Sequence, residues 1–252
     1  MEEIEVRECL TISELDSCVR LQRDVFRLPD LEISPRRHLI VSRQAGGWTL
    51  GAFAGERLIG FVHNLAGVRH GDEIFGYSHM MAVDPDFQNR GVGAKLKWSQ
   101  RERAMKEGRS FIKWTWDPMQ ARNAHFNLNR LGVTVSEYAA NFYGTEYPVT
   151  PAPAEGTGID SDRLFASWQL AAPEVELLAT GGALQRQAQP QATISIPVNW
   201  SKLCNEDPAL ARQEQLRVRG EFQAGFARGL VAAGFERSNE EPRYLLFQRE
   251  QL

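Results

Sequence analysis

Between Gln88 and Lys95 the chain reads QNRGVGAK: two glycines separated by a valine, with Arg90 before them and Lys95 after. These residue types suit an anion. Backbone N–H groups at a helix N-terminus point at a bound anion, and the helix dipole favours its charge. Glycine lets a phosphate approach without a Cβ in the way. Two common phosphate loops fail residue by residue. The fingerprint G-x-G-x-x-G meets Leu96 at its third position, too bulky for close helix–strand contact, and the acidic residue due about 20 positions later in a βαβ unit is missing. The loop G-x-x-x-x-G-K-[ST] lacks a glycine at the required distance before Gly93, and Lys95 is followed by Leu96 instead of Ser or Thr.

The elements around this loop must position it. A strand, Glu73 to Val83, leads in and is stopped by Asp84-Pro85, because proline lacks the donor a strand needs. A helix leads out to about Glu107, with Gly108 as its stop. Upstream, a strand from Ile4 to Leu10 precedes a helix capped by Thr11 or Ser13, with Leu15, Val19, Leu21 and Phe26 on its apolar face. A break from Pro29 to Pro35 separates it from a second helix running to about Gln44. Strands Trp48 to Ala54 and Leu58 to Ala66 follow, joined by a tight turn at Gly55-Glu56. Downstream come a strand from Phe111 to Trp116, a helix from Gln120 to Leu131 closed by Gly132, and a strand from Val133 to Tyr143.

Composition shifts at Gly144 to Gly158, a Pro/Gly/Thr loop, and again at the polar linker from Thr180 to Ala192. Strands at Arg163 to Leu170, Thr193 to Val198 and Tyr244 to Gln248 accompany a long helix, about Pro208 to Ala233. On that helix Val218, Phe222, Phe226 and Leu230 repeat every four residues as one packed stripe, and Gly234 ends it.

The 252 residues are 42% hydrophobic and 24% charged, within the range of a globular protein that buries its own core. A net charge of −3 gives no electrostatic footprint for nucleic acid or an anionic membrane. Cys9, Cys18 and Cys204 are scattered and odd in number, which argues against a disulfide framework or zinc cluster and suits a reducing cytosol. The opening MEEIEVRECL is acidic and lacks an apolar core, so no signal peptide is expected. No run approaches the roughly 20 apolar residues of a membrane span. A cytoplasmic protein with no metal site, nucleic acid or membrane partner is the expectation, and a homodimer is the assembly the reading allows. The sequon Asn199-Trp200-Ser201 then carries no meaning.

Taken together, Ala82-Val83-Asp84-Pro85, Gln88-Asn89-Arg90-Gly91-Val92-Gly93, Leu96, Ala104 and Gly108 resemble the pyrophosphate-binding motif of the GNAT superfamily of acyl-CoA-dependent N-acetyltransferases. Asn123-Ala124 and Leu131-Gly132 resemble its second motif, a helix flanking the pantetheine arm. The resemblance covers about residues 4 to 143. It implies an α+β GNAT fold: a mixed, largely antiparallel sheet flanked by helices. Residues 1–143 would form the acetyl-CoA-binding core, and 144–252 a linker plus an α/β strand-helix-strand extension packed on it.

The resemblance also implies roles. The fourth and fifth strands, Glu73 to Val83 and Phe111 to Trp116, would splay around the pantetheine arm of acetyl-CoA. Backbone groups of Met81, Ala82 and Val83 would bond the arm, and an N–H there can stabilise the oxyanion formed on attack. The amides of Gln88, Asn89, Arg90, Gly91, Val92, Gly93 and Ala94 would take the pyrophosphate. Asn123 would bond the arm, and Arg130 the adenosine phosphates. Relatives carry a glutamate where this chain has Tyr77. His79 lies two residues on along the same strand face and is the better candidate base, with an ordinary pKa near 6.5; a hydrogen-bonded strand histidine is the competing reading. Leu128 replaces the tyrosine that many members use as the acid, and Tyr138 or Tyr143 could substitute.

The function so implied is transfer of an acyl group, acetyl being expected, from acyl-CoA to an amine by direct attack in a ternary complex. The acceptor is a small molecule or a peptide. The alternative is a degenerate module that binds acyl-CoA as a sensor or interaction partner without turnover. Trp114 and Trp116 read as core residues or as a wall of the acyl site, Asp162-Arg163 as a local salt bridge or a grip on a charged substrate, and Arg212, Arg217, Arg219 and Arg228 as a solvated helix face.

Overall fold

Every residue of Trp48–Ala54 (β2) is buried, as in a strand covered on both faces. The edge strand Ile4–Glu8 (β1) pairs with it antiparallel, and Arg57–Arg69 (β3) pairs antiparallel on its other side. Glu73–Val83 (β4) continues the antiparallel ladder, and Phe111–Trp116 (β5) joins β4 in parallel, giving the order β1-β2-β3-β4-β5. The computed structural model describes residues 3–69, 71–145, 158–186 and 188–251, in two compact units, Met1–Trp114 and Thr115–Leu252.

Helices cover both faces of the first unit's strands. Ile12–Phe26 (α1) opens with a capping box: the Glu14 N–H donates to Thr11 Oγ1 at 3.2 Å, and the Thr11 N–H donates to Glu14 Oε2 at 2.9 Å. With Arg36–Gln44 (α2) it supplies Leu15, Cys18, Leu21 and Leu39 to a core shared with Phe53, Phe61 and Ala82. Val92–Lys106 (α3) packs on the opposite face, where Gly60 lets it approach: a Cβ there would lie 3.2 Å from Leu96 Cδ1 and 3.3 Å from Val92 Cγ1.

The second unit contains Ala121–His125 (α4), which runs into a π-helical turn at Phe126–Arg130. Tyr138–Ala139 (β6) pairs antiparallel with Arg163–Gln169 (β7), and Pro173–Ala179 (α5) follows. Ala192–Ser195 (β8), Trp200–Glu206 (α6), Pro208–Ala227 (α7), Leu230–Glu236 (β9) and Arg243–Gln248 (β10) complete the chain; the last three strands form an antiparallel sheet in the order β8-β10-β9. The architecture is α+β, with a largely antiparallel sheet flanked by helices, as expected. Among the described residues, no helix is long and apolar enough to cross a membrane.

Several elements differ from the sequence reading. The last long helix stops at Ala227, not Ala233: Gly229 takes the left-handed conformation at φ 79°, and Leu230–Glu236 is a strand. That run is apolar on both faces, so periodicity cannot separate helix from buried strand. The expected strand from Val133 to Tyr143 contracts to Tyr138–Ala139, with isolated bridges from Thr134 to Ser167 and Val135 to Ala232. The helices α5 and α6 escaped notice; Asn199 of the sequon caps α6, accepting from the Lys202 N–H at 3.0 Å. Most of the Pro/Gly/Thr loop falls on 146–157, outside the described residues.

The helical arginines are not simply a solvated face. Arg219 donates to Asp162 (2.9 and 2.8 Å) and to Asp160 (2.6 Å), and Arg212 pairs with Asp160 at 2.6 Å. The Asp162 side chain is fully buried, so it needs that partner. Removing Arg219 as alanine should cost about 3 kcal/mol in urea denaturation, the scale for stranding a buried charge. A loss below about 0.5 kcal/mol, the scale of an exposed pair, would contradict this.

Candidate active site

The loop from β4 to α3 is fixed at its base and open at its tip. Asp84 accepts from the Asp86 N–H at 3.0 Å and from Arg57 at 2.7 Å, and the Gln88 amide donates to the Val83 carbonyl at 3.1 Å. Asn89 (φ 61°) and Gly91 (φ 82°) adopt left-handed conformations, and a Cβ on Gly91 would meet nothing within 4 Å. Gly91 is the N-cap of α3, and no side chain caps the helix. The first bond inside the helix is Lys95 N–H to the Gly91 carbonyl at 3.0 Å. The N–H groups of Val92, Gly93 and Ala94 precede it and have no intrahelical acceptor, so they are placed to bond an anion. Arg90 is exposed beside this turn, its guanidinium 5.4 Å from the centre of the Phe87 ring. Lys95 is not a loop charge as expected, because its ammonium bonds the Ile4 carbonyl.

Two features of β4 shape the strip leading to this loop. The parallel register with β5 joins Gly76 to Ile112 and Tyr77 to Lys113, and β4 then continues to Val83 along β3 alone. Met81 lies opposite Val62, Ala82 opposite Phe61 and Val83 opposite Gly60. Alternate residues of such a ladder turn their N–H and C=O groups away from the partner strand, so this stretch offers backbone donors and acceptors to an extended ligand. The second feature is a bulge. His63 pairs with Met80 and Asn64 with Ser78, which leaves His79 as the extra residue. A bulge bends its strand and re-aims a side chain.

His79 projects toward α2 and completes a group of three imidazoles. Ring centroids are 5.7 Å from His79 to His38, 6.1 Å from His79 to His63 and 5.5 Å from His38 to His63. His79 Nε2 lies 3.4 Å from Ser34 Oγ; the Ser34 backbone is held by buried Gln22 through bonds of 3.0 and 3.2 Å. Both nitrogens of buried His63 are engaged, Nδ1 with Thr49 Oγ1 at 2.8 Å and Nε2 with Ser42 Oγ at 3.1 Å. Burial, and then the neighbouring imidazoles, push the His63 pKa down to about 3. Burial and then His38 lower that of His79, although one edge of the residue stays exposed. A neutral imidazole in this place has a nitrogen able to accept a proton.

The remaining candidates fall in different settings. Tyr77 is half-buried on β4, opposite Leu65. In the second unit, Asn123 and Arg130 are exposed on α4 and the π turn, while Leu128 is buried. Tyr138 donates to Asp162 Oδ2 at 2.5 Å, and burial followed by the Asp162 charge raises its pKa far above the ordinary value. Tyr143 keeps 45% of its surface exposed, with its hydroxyl 3.5 Å from Thr115 Oγ1. Sequence reasoning missed His38, His63 and Ser34, which lie outside both motifs. Their only signal is that two histidines fall on elements next to His79 in the fold.

Residues 15–132 match the model of the acetyltransferase (GNAT) family. The match spans 118 of the 252 residues, a little under half of the chain. No curated protein matches the chain. Among solved structures, the matched segment and its flanks are similar to the ribosomal-protein-S18-alanine N-acetyltransferase of Escherichia coli, at 14% identity and a TM-score of 0.52, covering 68% of this chain and 96% of that one. A Salmonella typhimurium protein assigned as an acetyltransferase and solved with acetyl-CoA gives 15% identity and a TM-score of 0.54 over 68% of this chain and 97% of its own. The NatC complex bound to Gag peptide and CoA gives 12% and 0.52, over 66% of this chain and 98% of that one. At these identities the likeness is one of fold.

His63 provides a test of the buried cluster. Its pKa of about 3 in the folded chain lies below the ordinary 6.5, so below pH 6.5 the unfolded chain binds a proton that the folded chain refuses. Stability then falls as pH falls through that window. The urea midpoint should drop from pH 7 to pH 4.5, and His63→Gln should flatten that slope. Equal slopes in the two proteins would refute a neutral buried His63.

Proposed function

We propose that this chain transfers an acyl group, acetyl by preference, from acyl-CoA to an amine by direct attack in a ternary complex. The observation that carries the reading is the continuous path along β4. Backbone without a β5 partner, from Ser78 onward, leads directly into the uncapped N-terminus of α3. An extended pantetheine arm needs the first and a pyrophosphate the second. The fold neighbours that hold acetyl-CoA and CoA support the same cofactor here. Asn123 and Arg130 remain the second unit's candidates for cofactor contacts.

The acceptor must lose a proton before or during attack, since an alkyl ammonium of pKa about 10.4 is neutral at pH 7 in only about one molecule in a thousand. His79 takes that proton, kept neutral by its surroundings and oriented by Ser34. Tyr77, on the same strand, walls the site. The nitrogen attacks the thioester carbonyl, a backbone N–H between Met81 and Val83 stabilises the oxyanion, and the thiolate leaves. The Tyr138 proton is already held by Asp162, which argues against Tyr138 as the acid that protonates it.

Release of CoA over a panel of primary amines tests the reading. Turnover with at least one acceptor is expected, with an acid limb in kcat/KM below pH 6.5, where His79 gains its proton. His79→Ala should lower kcat about a hundredfold, the lower range for losing a general base, with acetyl-CoA affinity retained. Full activity in that variant would remove His79 from the role. Binding without release over the whole panel would favour the sensor instead. Gly91→Glu should abolish acetyl-CoA binding, because it sets a carboxylate and a strained backbone at the phosphate position; unchanged affinity would refute the loop assignment.

A further inference from the structure

Among the buried ionisable groups that the mechanism does not use is the amine of Lys97 on α3. It is almost entirely buried and forms no ion pair among the described residues. Its Nζ donates to Ser78 Oγ at 2.8 Å and to Gln100 Oε1 at 3.0 Å, and lies 3.7 Å from the centre of the Trp114 ring. Gln100 passes the chain on, donating to Asn64 Oδ1 at 3.2 Å, and Asn64 donates to the Leu65 carbonyl at 3.0 Å. Burial pushes the Lys97 pKa well below its ordinary range.

The positions of its partners give this amine a meaning. The β4–β5 register ends at Tyr77 and Lys113. Ser78 and Trp114 are the next residue on each strand, and Lys97 contacts both. Where one more ladder pair would stand, a side chain from α3 spans the two strands. Ser78 is also the last residue before the bulge at His79, paired with Asn64 across β3. The chain from Lys97 through Gln100 to Asn64 thus grips both strands at the pair that borders the bulge.

We infer that Lys97 is a positioning residue for acyl transfer: it props β4 and β5 where they part and, through Ser78, fixes the bulge that aims His79. This rests on the proposal that acyl-CoA lies along β4.

The test compares three variants by calorimetric acetyl-CoA affinity, kcat and thermal midpoint. Lys97→Met keeps the volume and loses both hydrogen bonds. Ser78→Ala cuts the same contact from the other end and carries the test if Lys97→Met does not fold. Val218→Ala trims a fully buried side chain on α7, in the other unit, and controls for lost stability alone. Lys97→Met and Ser78→Ala should each weaken acetyl-CoA at least about tenfold and act non-additively together, as residues sharing one contact do. Val218→Ala should lower the thermal midpoint while leaving affinity within about twofold of wild type, the scatter expected of uncoupled sites. Wild-type affinity in Lys97→Met or Ser78→Ala, or losses in all three that merely follow the midpoint, would overturn the inference and leave the cofactor reading intact. Failure of the wild type itself to bind acetyl-CoA would overturn both.

Discussion

The constraint on which the site depends is that β4 has two partners but keeps only one of them to its end. It bonds β3 from Glu73 to Val83, while its parallel register with β5 ends at Tyr77. A strand that leaves a neighbour must remain rigid by other means, because unpaired backbone groups invite water or another chain. Here rigidity comes from above and below. The core of α1 and α2 holds Phe61 and Ala82 on one face, and α3 grips Ser78 and Asn64 on the other. The bulge at His79 fits this arrangement, since one extra residue increases the local twist where β4 and β5 diverge.

Three titratable groups along that strand share one feature: burial, which removes hydration from the charged form, is the first cause lowering the pKa of His63, His79 and Lys97. The second unit uses the opposite solution. Arg212 bonds Asp160, and Arg219 bonds both Asp160 and Asp162 directly. Paired charges suit the anchoring of a long helix, α7, to the segments around β6 and β7.

Much of the first unit was legible because its signals are local. Thr11 and Glu14 form their capping box, Asp84-Pro85 stops β4, and Gly91 caps α3 in a left-handed conformation. The order of strands and helices could be read from those stops. The bulge was not legible, because a one-residue offset between His63 and Asn64 leaves no mark in the alternation of residue types. The histidine cluster was hidden for a related reason: His38, His63 and His79 are far apart in sequence and meet only once α2 packs on the sheet. In the second unit, Leu230 to Phe235 is buried on both faces, so its period could not tell strand from helix, and Gly229 was the only clue.

Equilibrium binding by calorimetry tests the central claim most directly: that β4 beyond Tyr77 and the uncapped start of α3 together hold the acyl-CoA. The full chain is titrated with acetyl-CoA, CoA, ATP and NAD in the same buffer. Saturable one-to-one binding of acetyl-CoA and CoA is predicted, with no measurable heat from NAD and much weaker binding of ATP, which carries phosphates but no pantetheine arm for the strand. Absence of binding by acetyl-CoA, or ATP binding as tightly as CoA, would contradict the account.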